Sequence, residues 1–476
     1  MEKVKIRIGY APTRRNVFSA EDAGKQKDEI LAFIKKYDAE VIDINDINDE
    51  GLLFDLSDVD KVVKKFKDAE VDGVFFPHCN FGSEALVGKV ASQLNKPVLL
   101  WGPRDDAPLP GGERTRDTQC GLFASGKVLR RFNVPYTYVV NSKVDDQVFI
   151  KGYNNFLGVC SVVKAFHKIK ILQIAPRPDA FWTVICNEGE LLEKFGVEIF
   201  PITMEDVDIG VKRIVKERGP LFLKNYEVIS RKFDCGKVSQ EGIDNIVGLK
   251  TLFNEYCDAQ QCTAVAIQCW NALQSVLGVM PCVSNAVLTD EGIPVICETD
   301  IHGAICSIML QEANRRASSI FFADLTIRHP ENDNAELLWH CGNFPPSLIK
   351  DGEKATIEHN FIMPDHCPGI GNFEIRGGDI TVCRFDGDHG EYSLLIGEGK
   401  GVDGPKNLGT WVWFEVKDWP KWEEHIVTGP YIHHCAGVHG KVAAVLYEAC
   451  KYIPGLKADP IEPTADEISA YWRSND

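Results

Sequence analysis

The sequence lacks several patterns that would assign it to a simple class. Its sixteen cysteines occur singly without a C-x-x-C pair, so their spacing supports neither a zinc ribbon nor a dithiol redox site. No apolar run approaches the ~18 residues of a membrane span. Positive charge is in deficit, with a formal net charge of −17. We therefore expect reduced, mostly buried cysteines and neither a nucleic-acid nor a membrane partner.

Two further absences concern location and chemistry. The opening stretch MEKVKIRIGYAP enters a strand pattern directly, without the apolar core and cleavage site of a signal peptide, so we expect a cytoplasmic protein. The first strand–helix junction carries no G-x-G-x-x-G, which disfavours a nicotinamide-dependent dehydrogenase. A chain of 476 residues is also longer than one hydrophobic core usually supports, so we expect several domains.

Apolar periodicity predicts the fold class. Up to about residue 340, short apolar runs such as DGVFFPHC alternate with amphipathic stretches such as SEALVGKVASQLNKP, which is typical of doubly wound parallel sheets. Later runs such as ITVCRFDGDHGEYSLLIGEG alternate over short distances between glycine-rich turns, which indicates antiparallel strands. We predict two Rossmann-like α/β domains, at 1–165 and 166–340, followed by a mainly antiparallel, barrel-like β domain at 341–476.

Two acids follow apolar strand patterns in the middle of the chain. Glu298 comes after IPVIC and Asp324 after SSIFFA. Either residue alone would more often cap the next helix. If the two strands are neighbours, however, the carboxylates lie close together and repel unless a cation sits between them. Oxygen ligands of this kind suit Mg²⁺ or Mn²⁺.

Histidines supply the second half of a candidate metal site. His340 lies in ELLWHCGNF, and His433 and His434 lie in TGPYIHHCAGVHG. A single histidine in such a place is more often structural, and adjacent histidines point in different directions, so at most one of the pair should reach a given ion. Carboxylates combined with imidazoles fit Mn²⁺ or Co²⁺ better than structural Zn²⁺.

Several motifs together resemble the L-fucose/L-arabinose isomerase family. They are CETDIHGA, the acid after the next apolar run in FFADLT, and the late HH before small residues. IGYAPTRR is similar to that family's opening strand and arginine-bearing loop, and DITVCRFDGDHGEYSLLIGEGKG resembles the hairpins of its C-terminal domain. The resemblance covers most of the chain in order and layout.

The resemblance implies a metal-dependent aldose–ketose isomerase that uses Mn²⁺, with Co²⁺ or Mg²⁺ as alternatives. Its metal ligands map onto Glu298, Asp324 and His434, and His433 stays an alternative to His434. His340 would add the further ligand of arabinose-type members, whereas an aspartate at Asp324 is a fucose-type feature. The substrate therefore stays open among L-fucose, D-arabinose, L-arabinose and a modified or sulfonated hexose.

The resemblance also implies roles for other residues. Isomerisation moves a proton between C1 and C2 of an open-chain sugar through an enediolate, and we expect Glu298 and Asp324 to be catalytic, without deciding which is the base. The family implies a homo-oligomer, a hexamer or trimer, in which the first domain of one subunit reaches its neighbour's site. The expected substrate-binding residues are Arg14, His78, Asn80, Gln268 and His433.

Two alternatives from other classes stay open. A metal-dependent sugar aldolase or lyase would use the same stabilisation of an enediolate. A non-catalytic sugar-binding protein also combines paired α/β domains, although it would not need the two acids. Cleavage products, or binding without turnover, distinguish these alternatives from an isomerase.

Overall fold

The structure is a computed structural model that describes residues 4–362 and 366–475. Its described residues fall into two compact units. The first, called the N-terminal unit below, contains residues 4–164, 447–453 and 465–475. The second unit contains the described residues of 165–446 together with 454–464.

The predicted domain boundaries meet these units in different ways. The boundary at 165 falls where the first segment of the N-terminal unit ends, whereas residues on both sides of the boundary at 340 belong to the second unit. Among the described residues, no helix has the length and apolar character needed to span a bilayer.

The N-terminal unit is a parallel sheet covered by helices. Its elements are β1 (Arg7–Tyr10), α1 (Ala20–Ile34), β2 (Glu40–Ile42), α2 (Val59–Asp68), β3 (Gly73–Pro77), α3 (Glu84–Leu94), β4 (Val98–Trp101), α4 (Thr118–Arg131), β5 (Thr137–Tyr138) and α5 (Gln147–Phe166). The strand order is β2-β1-β3-β4-β5. Val74 and Phe76 of β3 pack in one apolar cluster with Val62 of α2, while Phe75 contacts Phe149 of α5. Because both faces are covered, the strands are continuously apolar.

The second unit begins with another parallel sheet. Its elements are β6 (Lys170–Ile174), α6 (Glu188–Phe195), β7 (Glu198–Ile202), α7 (Met204–Glu217), α8 (Pro220–Lys232), α9 (Gln240–Gln260), β8 (Ala264–Ile267), α10 (Ala272–Leu277), α11 (Cys282–Asp290), β9 (Val295–Cys297) and α12 (Ile301–Ala313). The strand order β7-β6-β8-β9 places β9 at an edge, with the carboxyl ends of β8 and β9 side by side. Ligands usually bind at such carboxyl ends.

A mainly antiparallel sheet completes the chain. Its elements are β10 (Ile320–His329), β11 (Asn332–His340), β12 (Thr356–His359), β13 (Pro368–Glu374), β14 (Gly378–Asp388), β15 (Glu391–Val402), β16 (Thr410–Glu415), α13 (Trp419–Thr428), β17 (His434–His439), α14 (Ala443–Cys450) and β18 (Leu456–Glu462); α15 (Ala465–Arg473) belongs to the N-terminal unit. Strands β11, β10, β17, β14 and β15 follow β16 in order, and pairing of β15 with β16 closes a barrel. The predicted fold class is confirmed.

One strand lies in a different sheet from the predicted one. SSIFFADLT was expected to end the central parallel domain, but β10 pairs antiparallel with β11 and β17 in the barrel. Phe321 and Ala323 belong to the barrel's apolar core, while a Cβ on Gly303 of α12 would lie 2.7 Å from Phe322 on the other face. Because α12 and the barrel bury both faces of residues 320–323, the first part of β10 has the continuous apolar run of a parallel strand.

Candidate functional site

A strained turn presents Glu298 directly after β9. Glu298 and Thr299 adopt positive φ angles of 60° and 55°, in the left-handed region that side chains other than glycine rarely occupy. Asp300 ends the turn by accepting a hydrogen bond of 2.9 Å from the Gly303 amide at the start of α12. Strained backbone of this kind costs about 1–3 kcal/mol per residue and clusters at functional sites.

Asp324 and His434 meet as a cross-strand pair. Asp324 in β10 lies directly opposite His434 in β17, so their side chains share one face of the sheet. The prediction that Asp324 ends a strand is wrong, because β10 continues to His329. The barrel register, rather than a shared parallel sheet, brings Asp324 to this site.

Carboxylate oxygens of Glu298 and Asp324 both lie near one nitrogen of His434. The Nε2 atom of His434 lies 2.8 Å from Oε2 of Glu298 and 3.5 Å from Oδ1 of Asp324. All three atoms are buried, and within the described chain Nε2 contacts the two oxygens while none of the three bonds to any other group. Two carboxylate oxygens beside one imidazole nitrogen can be held by a proton on that nitrogen or by a divalent cation, and the donor set fits such a cation.

The other nitrogen of His434 fixes the orientation of its ring. Nδ1 lies 2.9 Å from Oδ2 of Asp300, which is completely buried. The carboxylate can only accept here, so Nδ1 carries the proton and a neutral ring has its lone pair on Nε2. A carboxylate behind the imidazole is a common arrangement for metal-binding histidines.

Burial and mutual contacts shift the pKa values of the three groups. Burial raises the pKa of Asp324 to about 6. Burial also raises the pKa of Glu298, but the neighbouring His434 outweighs it and holds the value below its ordinary range. Burial lowers the pKa of His434, yet Asp300 and Glu298 outweigh this and raise it to about 10. Without an ion, a proton on His434 therefore supplies the positive charge.

His433 and His340 are the other two histidines predicted near the metal site. Asp324, His433 and His434 offer ligand atoms that all lie within 4.8 Å of one another, so His433 could replace Glu298 in a metal shell. His433 is exposed, however, whereas Glu298 brings a buried oxygen next to Nε2 of His434. His340 is buried; its Nδ1 accepts a 2.9 Å hydrogen bond from the Cys341 amide, and its Nε2 is buried without a hydrogen-bond partner in the described chain. We favour Glu298, Asp324 and His434 as the first ligand set, and His340 stays a predicted further ligand.

Gln268 and Glu298 both follow the carboxyl ends of neighbouring strands, β8 and β9. Gln268 follows β8, and its backbone N–H donates to the Ile174 carbonyl at 3.0 Å. The Thr299 amide donates to the carbonyl of Ile267, which connects the Glu298 turn to the end of β8. The structure thus brings the backbone of Gln268 next to the turn that presents Glu298.

The remaining predicted substrate-binding residues belong to the N-terminal unit. Arg14 donates from Nε and Nη2 to the Glu50 carboxylate, both at 2.6 Å. His78 is fully buried, with Nε2 2.7 Å from the Ser125 hydroxyl, and Asn80 accepts from the Arg15 amide at 2.8 Å. These side chains have partners inside their own unit, and their contact with a substrate stays a prediction.

Sequence reasoning missed a buried charge network behind His434. Arg384 and Asp386 occupy alternate positions of β14 and are buried, and Arg384 bonds to both Asp386 and Asp300. The signal was present in VCRFD, where an arginine and an aspartate at alternate positions share one face of an apolar run.

Comparison with known proteins supports the class that the fold and site indicate. The model of the fucose/sulfoquinovose isomerase N-terminal domain matches residues 9–167, and that of the L-fucose isomerase C-terminal domain matches residues 338–455. Together they cover more than half of the chain. The chain therefore belongs to the fucose isomerase family and is a sugar isomerase of the aldose–ketose class.

Individual relatives are similar over most of their length. A sulfoquinovose isomerase from Priestia aryabhattai is 23% identical over 395 residues, covering 83% of this chain and 85% of the relative. One from Alkalicoccus urumqiensis is 24% identical over 348 residues, covering 73% of this chain and 76% of the relative. A solved solute-binding protein from Actinobacillus succinogenes 130z with bound D-allose covers 65% of this chain and 92% of its own, at 11% identity and a TM-score of 0.17.

Proposed function

We propose that this protein is a Mn²⁺-dependent aldose–ketose isomerase that acts on an open-chain sugar through an enediolate. The approach of two buried carboxylate oxygens, from Glu298 and Asp324, to Nε2 of His434 carries this proposal. Two carboxylates and an imidazole are a donor set that suits Mn²⁺, with Co²⁺ or Mg²⁺ as alternatives. When bound, such an ion would polarise the sugar's carbonyl and hydroxyl oxygens.

The two carboxylates have different tasks in this proposal. The Asp324 side chain is 16% exposed and that of Glu298 only 5%, so Asp324 is better placed to meet a sugar carbon as a general base. Asp324 is therefore our first candidate for the group that takes the proton from one sugar carbon and returns it to the next. Glu298 stays ionised at neutral pH and serves mainly to hold the ion. The side chain of Gln268, at the end of the strand next to that of Glu298, would bind a sugar hydroxyl.

We propose sulfoquinovose, a sulfonated hexose, as the first substrate to test. Support comes from the relatives named sulfoquinovose isomerase, which match most of this chain. L-fucose, D-arabinose and L-arabinose are the competing substrates.

A panel of aldoses with purified protein and Mn²⁺ tests the function. We expect one sugar to be converted to its ketose, and metal analysis to find about one divalent ion per chain. Glu298→Gln should lose both the ion and the activity, because an amide oxygen is a weaker ligand than a carboxylate. Glu331→Gln, the same change at an exposed acid of the barrel, is the matched control.

Three outcomes would contradict the proposal. Full metal content and activity in Glu298→Gln would remove Glu298 from the mechanism. Products of C–C cleavage would indicate an aldolase. Sugar binding that is unaffected by a chelator and gives no turnover would indicate a binding protein.

We also propose a cytoplasmic homo-oligomer, a trimer or hexamer, in which Arg14, His78 and Asn80 act on the substrate of a neighbouring subunit. The family resemblance supports this. Light scattering gives the subunit number, and cell fractionation the location. Mixing inactive Arg14→Ala subunits with inactive Glu298→Gln subunits should restore part of the activity, since some shared sites would then be intact. No recovery after verified subunit exchange would contradict sites shared between subunits.

A further inference from the structure

Arg384 lies at the centre of a buried network behind the candidate metal ligands. Its side chain is 1% exposed. Nη1 and Nη2 donate to the two carboxylate oxygens of Asp300, the second at 3.2 Å. Nε donates to Oδ2 of Asp386 at 2.9 Å. The guanidinium therefore uses three nitrogens in one plane to join two buried carboxylates.

Each carboxylate is also bonded to a histidine. Oδ2 of Asp300 lies 2.9 Å from Nδ1 of His434, and Oδ1 of Asp386 lies 3.0 Å from Nδ1 of His302. Asp300 thus accepts from the guanidinium, from the start of α12 and from His434 at once. A two-pronged contact of this kind fixes the plane of the carboxylate, which a single hydrogen bond does not.

We propose that Arg384 is a positioning residue for the metal ion, acting through Asp300 to hold the imidazole of His434 with Nε2 turned toward Glu298 and Asp324. This inference rests on the proposed metal site. Within the described residues, Arg384 bonds to Asp300 and Asp386 and not to Glu298, Asp324 or His434. Its effect therefore passes through the Asp300 carboxylate to Nδ1 of the His434 ring, whose Nε2 faces the site.

Stability alone does not account for this arginine. A buried ion pair generally contributes little more than apolar side chains of equal volume, because removing both charges from water offsets their attraction. An apolar strand could fill this space without charge. What the ion pair adds is a fixed direction for Asp300, and through it for His434.

Two substitutions with a matched control test the proposal. Arg384→Lys keeps the charge but loses the planar, two-pronged contact, and Arg384→Met keeps the length but loses the charge. The control is Lys250→Met, which removes another buried cation of the same unit, one bonded to Asn225 and Glu291 rather than to the site. Circular dichroism first establishes that each variant is folded.

The readouts are the affinity for Mn²⁺ alone and the visible absorption of the Co²⁺-substituted protein. We expect Arg384→Lys to bind Mn²⁺ about 10-fold more weakly and Arg384→Met up to about 100-fold, as for other residues behind metal-binding histidines. The Co²⁺ bands should shift in both, since the ligand geometry changes. Lys250→Met should match the wild type in both measurements. If Arg384→Met does not fold, the comparison of Arg384→Lys with the wild type and with Lys250→Met decides the test.

The outcomes separate this inference from the proposed function. A folded Arg384→Lys protein with wild-type Mn²⁺ affinity and unchanged Co²⁺ bands would overturn the inference alone. Equal losses in Lys250→Met would do so too, because they would reflect general loosening. A wild-type protein that binds no divalent ion would overturn the metal site and the inference together, whereas metal effects without sugar turnover would overturn only the isomerase function.

Discussion

Asp324 and His434 lie directly opposite each other on neighbouring antiparallel strands, with 3.5 Å between Oδ1 and Nε2. The pair links two segments more than a hundred residues apart in the sequence. Strand register sets this distance, so the two side chains are held in place before any ligand binds. Glu298, on a strained turn from another sheet, completes the group.

Metal binding should release a proton at neutral pH. His434 has a pKa of about 10 without an ion, so it is protonated at pH 7 and must lose that proton to bind a metal. Calorimetric titration with Mn²⁺ in buffers of different ionisation enthalpy should detect about one proton released per ion. Affinity should fall further below pH 6, where Asp324 also becomes protonated. Binding without proton release at pH 7 would contradict the assignment of His434.

At position 298, glycine should be more stable than alanine. In ordinary helices and strands the order is the reverse, because glycine loses more backbone entropy on folding. The positive φ of 60° at Glu298 disfavours any residue with a Cβ, so the metal-free Glu298→Gly protein should exceed Glu298→Ala in unfolding free energy by about 1 kcal/mol. Both variants lack the carboxylate, so each is the control for the other. Urea denaturation measures the difference, and a more stable alanine variant would show that the turn is unstrained.

His78 should make the stability of the N-terminal unit depend on pH. Burial lowers its pKa to about 4, from an ordinary value of 6.5. Between these values the unfolded chain binds a proton that the folded chain does not, so stability falls as pH drops through this window. The full loss for such a shift is about 3 kcal/mol.

Scanning calorimetry between pH 7 and pH 4.5 tests this dependence. His78→Gln should lower the unfolding temperature at pH 7, because a buried hydrogen-bond network changes, yet flatten its decline with acidity. His359→Gln, at an exposed histidine of the second unit, should keep the wild-type slope. An unchanged slope in His78→Gln would assign the acid sensitivity to other groups.

Asp300→Asn should weaken metal binding although Asp300 is not a ligand. An asparagine offers one oxygen where the carboxylate offers two, and its amide would compete with Arg384 and His434 as a donor. We expect about a 10–100-fold loss of Mn²⁺ affinity, measured by competition with a fluorescent chelator. Asp386, which reaches His434 only through Arg384 and Asp300, lies two hydrogen bonds further away, so Asp386→Asn should show a smaller loss. Equal losses in the two variants would mean that distance along the network does not matter.

The sequence was most informative where one physical rule dominated. The regular alternation of apolar runs and amphipathic stretches in the N-terminal unit predicts its parallel sheet, because strands that helices cover on both faces are apolar throughout. Glu298 was found for a similar reason, since an acid directly after an apolar strand needs a partner. Local pattern sufficed in both cases.

The remaining features depend on contacts between distant segments. Asp324 was identified, but for a wrong reason, because the run SSIFFA looks the same whether helices or a barrel bury it. Arg384 was missed because a charge in a strand gives no indication of a distant partner such as Asp300, 84 residues away. The positive φ of Glu298 likewise follows from the packing of β9 and α12, which no short stretch of sequence encodes.

The proton on His434 has a consequence for the chain before it acquires an ion. Small zinc domains unfold when their metal is removed, because the free energy of metal binding supplies most of their folding free energy. Here the barrel holds the surrounding strands without a metal, and an imidazolium offsets the charge of the two carboxylates. A freshly made polypeptide should thus reach its native form in metal-free medium, and a chelator should abolish turnover reversibly while leaving the protein folded.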